Sequence, residues 1–458
     1  MIIKNRDQLI FNASNELLRK LRKDAIQIIE ESINSVNPYN ALINQVKTIN
    51  DSLKIGKQSL DLTKIDRIIV IGGGKASIPM AKALEEILGD RITGGLVNAL
   101  HDSINKSKLK IIQVNGAAHP IPDENGVNGV KSMLSMVSDL TEKDLVFALI
   151  SGGGSAIMPS PAENIYLKDI QIVTEKLLKA GIKINELNAV RKHLSSFKGG
   201  QLAKSIYPAT TIGLILSDVI GDPLDTIASG PTAPDDTTFK DAVDVLKKFE
   251  QWDNAPISIK ERLKKGLENE IDETPKTSDK IFQRVYNYII ANNLIAVKAG
   301  ERKAKELGYN TQILSTFIEG EARQLGIFLS GISKSLIAKG NPLQPPAAII
   351  IGGETTVKVT GEGKGGRNQE IALSSCTEID SLSTVISTIG TDGIDGPTEA
   401  AGAIVDGDTY QKARKMNLDP MKFLNNNDSF NFFNSLDDLI ITGPTGTNVN
   451  DIALILVE

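Results

Sequence analysis

Arg67-Ile68-Ile69-Val70-Ile71 runs straight into Gly72-Gly73-Gly74-Lys75-Ala76-Ser77, and a stretch with helical periodicity follows. A β-branched run, a glycine turn and a helix in that order form one strand–loop–helix unit. Working outward, short apolar runs recur at 94–98 (GGLVN), 109–114 (LKIIQV), 145–150 (LVFALI) and 211–216 (TIGLIL). Near-continuous apolar strands alternating with helices predict an α/β fold with a mostly parallel sheet covered on both faces.

Upstream, Leu17, Leu18, Leu21, Ala25, Ile28 and Ile29 repeat at helical spacing, so residues 1–60 read as a helical segment packed on either domain. Downstream, residues 236–280 are polar and read as a helical linker region, with DETPKTSDK (272–280) its clearest break. A second α/β pattern then opens with VYNYII (285–290) and continues through TQIL, AAIIIGG, a hairpin-like TTVKVTGEGKGG, STVISTIG, LIITG and IALILVE. The expected organisation is an α/β domain at 61–235 and a second, C-terminal α/β domain at 281–458.

Composition narrows the function. The chain has 458 residues, 41% apolar and 23% charged, with a net charge of −5. That argues against a dedicated nucleic-acid binder. Cys376 is alone and cannot form an intramolecular disulfide, and the three histidines show no metal-binding spacing. The first residues lack the apolar core of a signal peptide, and no run is long enough to span a membrane. A soluble, cytoplasmic protein is expected.

In open α/β sheets, loops at the carboxyl ends of strands carry function. In the first loop Gly73 and Gly74 permit close backbone approach to an anion, a helix follows, and Lys75 adds charge. It is not a P-loop, because position 69 is Ile where GxxxxGK[ST] requires glycine. Nor is it a dinucleotide fingerprint, because Ser77 stands where the third glycine belongs. Anion binding by Lys75 is expected, against the plainer reading of a tight turn with a solvated lysine. Ser151-Gly152-Gly153-Gly154-Ser155 offers a second nest of donors for phosphate. Asp218 and Asp222 follow the strand at 211–216 and suit either Mg²⁺ or turn capping. Arg191, Lys192, His193 and Lys198 crowd one short stretch, which as a bare charge run reads as a solvated face, with His193 a candidate base. His119, in AAHPIPD, is either structural or reaches the site. In the C-terminal half, Arg367 and Asn368 open a helix after GEGKGG, and that arginine suits bidentate capture of a carboxylate or phosphate. Thr391, Asp392 and Asp395 follow STVISTIG, and Gly443-Pro444-Thr445-Gly446-Thr447-Asn448 follows LIIT. Glycine cradles, cations and strand-end carboxylates are what phosphoryl transfer requires.

IGGGKAS, AAHPIPDENG, LISGGGSA, NAVRKHLSSFKGGQLA, SDVIGDPLDTIASGPTAPD, GGETTV, GKGGRNQE, GTDGIDGPTEAAGA and GPTGTNVND, in order from about Arg67 to the end, resemble the class II glycerate kinases with their C-terminal leucine-rich module. The resemblance implies two α/β domains facing each other across a cleft, the N-terminal one Rossmann-like with a mostly parallel sheet, and phosphorylation of D-glycerate, usually at the 2-hydroxyl, with ATP and Mg²⁺ or another divalent cation. It implies that the family's functional lysine and arginine fall on Lys75 and Arg367. The working assignment makes Lys75, Arg367 and Asp218 catalytic. Gly73, Gly74, Ser151, Gly152, Gly153, Gly154, Ser155, Arg191, Lys192, Asn368 and Thr391 bind substrate or nucleotide phosphates, and Asp222, Asp392 and Asp395 hold the metal. No nucleic-acid or membrane partner is expected, and the chain is a monomer or homodimer. The competing readings are an NAD(P)H-dependent hydroxypyruvate reductase and a non-catalytic sensor of sugar-acid phosphates.

Overall fold

The computed structural model describes residues 2–106 and 108–458. The chain folds into two compact units, one of Pro38–Ile290 and one of Met1–Asn37 with Ala291–Glu458.

The first unit opens with a small antiparallel sheet, β1 (Val46–Ile49), β2 (Ser52–Ile55) and β3 (Gln58–Asp61). Residues 46–61 are therefore strand, where the sequence reading placed helix. Its main sheet contains β4 (Ile68–Gly73), β5 (Gly94–Leu100), β6 (Ile112–Ala117), β7 (Leu145–Ile150), β8 (Thr210–Leu216) and β9 (Val285–Ala291). Their spatial order is β6-β5-β4-β7-β8-β9, and β4 to β8 pair in parallel. Every residue of β4 and β7 is buried, which is why both read as unbroken apolar runs. Helices Glu124–Met136 and Gln201–Ile206 bury Val130, Met133, Leu202 and Ile206 against this sheet.

The stretch expected as a linker is part of this unit. Helices Phe239–Lys248 and Ile257–Leu267 bury Phe239, Leu246, Ile259 and Leu263 together with Val173, Leu177 and Val190 of helices Leu167–Lys179 and Ile184–His193. A capping box of Thr238 and Asp241 starts the first of them. VYNYII likewise forms the edge strand β9 of the first sheet, although its sequence position suggested the C-terminal domain.

The second unit has a mixed sheet of β10 (Asn310–Ile318), β11 (Ala347–Gly353), β12 (Thr384–Gly390), β13 (Gly402–Asp406), β14 (Leu439–Ile440) and β15 (Asp451–Val457), in the order β10-β11-β15-β12-β13-β14. Only β10 and β11 are parallel; β15 runs antiparallel to both β11 and β12. The hairpin expected at TTVKVTGEGKGG does not form, and its glycines pass close to the backbone of Asn426 and Asn427 instead. Helix Glu16–Ser35, capped by Asn15, belongs to this unit. Its Arg22 is fully buried, donating to Asp406 (2.6 Å) and to the Leu9 carbonyl (3.1 Å) and pairing with Asp438. Among the described residues no helix is long and apolar enough to cross a membrane.

Candidate active site

The strand order of the first sheet reverses between β4 and β7, the place where open α/β sheets bind ligands. The two strands end level, with Gly73 opposite Ile150, so the loops that follow them lie side by side. They are also stitched together. The Lys75 N–H donates to the Gly152 carbonyl (3.0 Å), and the Ala76 N–H donates to Ser151 Oγ (3.1 Å). Gly74 sits at φ +138°, and a Cβ there would lie 2.2 Å from Ser151 Oγ, so no larger residue permits this approach. Ser151 is thus a buried brace that accepts from the Lys75 loop, and Ser155 pairs its hydroxyl with that of Ser229 (2.8 Å). The Lys75 side chain is exposed. Its charge reaches His119, whose pKa is held below the ordinary value by burial first and by Lys75 second.

Beside the second glycine loop lies a cavity of about 660 Å³. Gly152, Gly153, Gly154 and Ser155 line it together with His119, Arg191, Lys198 and Asp218. Asp218, at the end of β8, packs so tightly on the loop that a Cβ on Gly152 would be 2.2 Å from its carboxylate. Asp222, on the same loop, is not among the lining residues.

The basic stretch divides in two. Arg191, at the end of helix Ile184–His193, lines the cavity, whereas the adjacent Lys192 is 2% exposed and donates to Asp225 (3.0 Å) and Asp235 (3.3 Å). Lys192 is therefore a buried ion-pair partner, which corrects its expected phosphate role. His193 is buried too, between the Ala189 carbonyl (2.7 Å) and Glu273 (3.0 Å). Burial opposes the charge of Glu273, but His193 and the Phe239 N–H outweigh it and bring the carboxyl down to about 2. Lys198, absent from the expected set, lines the cavity while its Nζ donates to the Met158 carbonyl (2.8 Å). The sequence signal for it was weak: one lysine among several, ahead of a Gly-Gly pair.

In the other unit, Arg367 starts helix Arg367–Cys376 and is gripped by Asp451 through Nε and Nη2 (2.8 Å) and by Glu354 through Nη1 (2.9 Å). Burial works against its charge, but the two carboxylates hold its pKa above the ordinary value. Asp451 is pushed up to about 6 by burial, with Arg367 pulling the other way. Asp395 is not placed to bind metal. One oxygen accepts from the Asn368 N–H (3.1 Å), and the other from the Gln369 N–H and Nε2 (2.9 Å each), so the carboxylate caps this helix. Asn368 is buried, with its Nδ2 on Asp395, and Thr391 spends its buried hydroxyl on the Asn450 carbonyl (2.6 Å) and the Val449 N–H (2.9 Å). The Thr391 hydroxyl is thus engaged by backbone groups, whereas Asn368 leaves its Oδ1 without a partner and lines a small pocket with Gly353 and Asp451. Asp392 accepts from the Ile394 N–H (3.1 Å).

Among the described residues no group of three His, Cys, Asp or Glu side chains is arranged to hold a metal ion. A magnesium ion arriving with a nucleotide needs only one or two protein carboxylates beside phosphate oxygens and water. Asp218 lines the cavity and is placed to supply one of them, and Asp222 follows on the same loop outside the lining.

Comparison with known proteins matches residues 24–264 to a domain of unknown function (DUF4147) and residues 347–451 to the MOFRL family. A glycerate 2-kinase of Pyrococcus horikoshii is 42% identical over 95% of this chain and 97% of its own length. A D-glycerate 2-kinase of Thermotoga maritima is 42% identical over 95% of this chain and 98% of its own length. The crystal structure of a Pyrococcus horikoshii OT3 protein superposes with a TM-score of 0.88 at 42% identity, covering 95% of this chain and 98% of that one. Motif order, fold and full-length similarity agree: the chain belongs to the glycerate kinase family, with a C-terminal MOFRL module.

Proposed function

We propose that this protein phosphorylates D-glycerate on its 2-hydroxyl with ATP and Mg²⁺, releasing 2-phosphoglycerate and ADP. The observation that carries the reading is the cavity at the strand-order reversal, where a glycine loop and Asp218 meet cations beside the Lys75 loop. Full-length relatives named glycerate 2-kinase supply the substrate class.

The glycerate hydroxyl attacks the γ-phosphorus in line; a new O–P bond forms as the bond to the β-phosphate oxygen breaks. Asp218 orients the hydroxyl and receives its proton, and ADP leaves with the electron pair. Lys75 opposes the negative charge on the transferring group, and in the other unit Arg367, fixed by Asp451 and Glu354, presents a cation suited to a carboxylate or phosphate. Asp222 would hold Mg²⁺, which neutralises phosphate charge when bound. Positioning and charge stabilisation carry such a reaction, so no strong general base is required.

A coupled assay tests this with purified protein, D-glycerate, ATP and Mg²⁺, and enolase as the only following enzyme. Immediate phosphoenolpyruvate formation is the expected result. ADP without phosphoenolpyruvate would move the reaction to another hydroxyl. Oxidation of NADH on addition of hydroxypyruvate, with no ADP formed, would replace the kinase with a reductase.

A further inference from the structure

Cations inside proteins are almost always paired, because an uncompensated charge away from water is costly. The cavity beside the second glycine loop breaks that pattern twice. Lys198 is 5% exposed, and its Nζ meets only the Met158 carbonyl. Arg191 stands beside it, partly buried, and among the described residues neither forms an ion pair with a carboxylate. Burial lowers both pKa values, that of Lys198 to about 7 with Arg191 adding repulsion. By contrast Lys192, next in sequence, has two carboxylates. The fold therefore provides counter-charge for one member of the run and leaves two facing the cavity without it.

The rest of the lining mixes apolar and polar side chains, with Lys168, Gln171, Glu175 and Lys179 among the polar ones. Ile121, Leu178 and Ile184 line the same cavity and are 66%, 55% and 52% exposed, an unusual concentration of large apolar side chains in solvent. The volume lies within the range of drug-sized ligand sites, and a compact sugar acid would leave most of it empty. A polyanion joined to a flat apolar ring matches the two cations and these three apolar side chains.

We propose that this cavity is the nucleotide site: Arg191 and Lys198 grip the phosphates of a nucleoside polyphosphate, and Ile121, Leu178 and Ile184 receive its base. The inference rests on the kinase reading and deepens it by placing the nucleotide.

Calorimetric titration of the full-length protein with ADP tests the placement. Lys198→Met and Arg191→Met preserve side-chain bulk and should each weaken ADP binding by about ten-fold or more, while KM for D-glycerate at saturating ATP changes by less than about two-fold. Ile184→Ser, an exposed change without risk to the fold, should weaken ADP binding by roughly three-fold or more yet leave inorganic tripolyphosphate binding unchanged. Thermal melting identifies any variant that fails to fold, and Ile184→Ser then decides. Unchanged ADP affinity in the folded cation variants overturns the proposal. So does a rise in KM for glycerate with ADP binding intact, which would place the sugar acid on the cations. ADP binding through the pair without any glycerate phosphorylation would instead sink the kinase reading and leave the nucleotide site standing.

Discussion

Replacing Asp395 by alanine separates a helix cap from a metal ligand. The change removes the acceptor for two backbone N–H groups at the start of helix Arg367–Cys376, those of Asn368 and Gln369. Each buried donor left without an acceptor costs about 1–3 kcal/mol. Loss of negative charge at the helix N-terminus adds about 0.5–1 kcal/mol. Gln369 Nε2 is not orphaned, because it also donates to Thr398 Oγ1 (3.0 Å). Burial pushes the Asp395 carboxyl above its ordinary pKa, so the native protein already bears a desolvation cost that the variant escapes. The expected net loss is about 3 kcal/mol, which at roughly 2–4 °C per kcal/mol for a unit of this size lowers Tm by about 6–12 °C. Asp395→Asn keeps the volume and one acceptor and should cost about half as much. Circular dichroism melting without ligands gives the first readout, and the Mg²⁺ dependence of ADP release at saturating substrates gives the second. An Asp395→Asn protein that melts like the wild type but needs ten-fold more Mg²⁺ would refute the cap and restore the metal role.

Lys75→Ala should lower kcat/KM for glycerate phosphorylation by about 10²-fold or more with Tm unchanged, since the side chain is exposed and its backbone carries the anchoring; near-wild-type turnover would exclude it from the site. The Asp451 carboxyl, raised to about 6, gains its proton as the pH falls through that value and releases its hold on Arg367. Activity should therefore decline below about pH 6, and Asp451→Asn should be less active at pH 8 and lose that inflection; an inflection retained in the variant would assign it to another group. Arg22→Met strands two buried carboxylates, Asp406 and Asp438, and should cost about 3–5 kcal/mol in urea unfolding at pH 7. A loss under about 1 kcal/mol would mean that water or Lys412 compensates them.

The sequence disclosed the first sheet because β4, β7 and β8 are buried on both faces and leave unbroken apolar runs. It concealed β1 to β3, four-residue strands with few buried positions and no turn signal stronger than Ile55-Gly56. It misplaced β9 because apolar pattern records that a strand exists, not which sheet accepts it. At the candidate site, glycine loops and Asp218 were legible from position alone, since strand ends converge at a reversal of strand order. The roles of Lys192, Thr391, Asn368 and Asp395 were not, because each depends on a partner distant in sequence: Asp225 and Asp235, Asn450, and the two ends of the Asp395 cap. Lys198 looked like one more surface lysine until its burial beside Arg191 was seen.

The division of the chain has a consequence for biosynthesis. The unit that contains helix Glu16–Ser35 is closed by residues from Ala291 onward, with all of Pro38–Ile290 between them in sequence. At roughly 5–20 residues per second, a ribosome needs about 13–50 s to make that intervening stretch. Throughout that interval the nascent N-terminal helix has no partner for Leu18, Leu21, Ile28 and Ile29, and Arg22 lacks both its carboxylates. The intervening unit can complete its own sheet first, while helix Glu16–Ser35, made before it, is secured after it. A holdase that covers short apolar stretches during synthesis would find its substrate in helix Glu16–Ser35 until Ala291 and the residues beyond it are made.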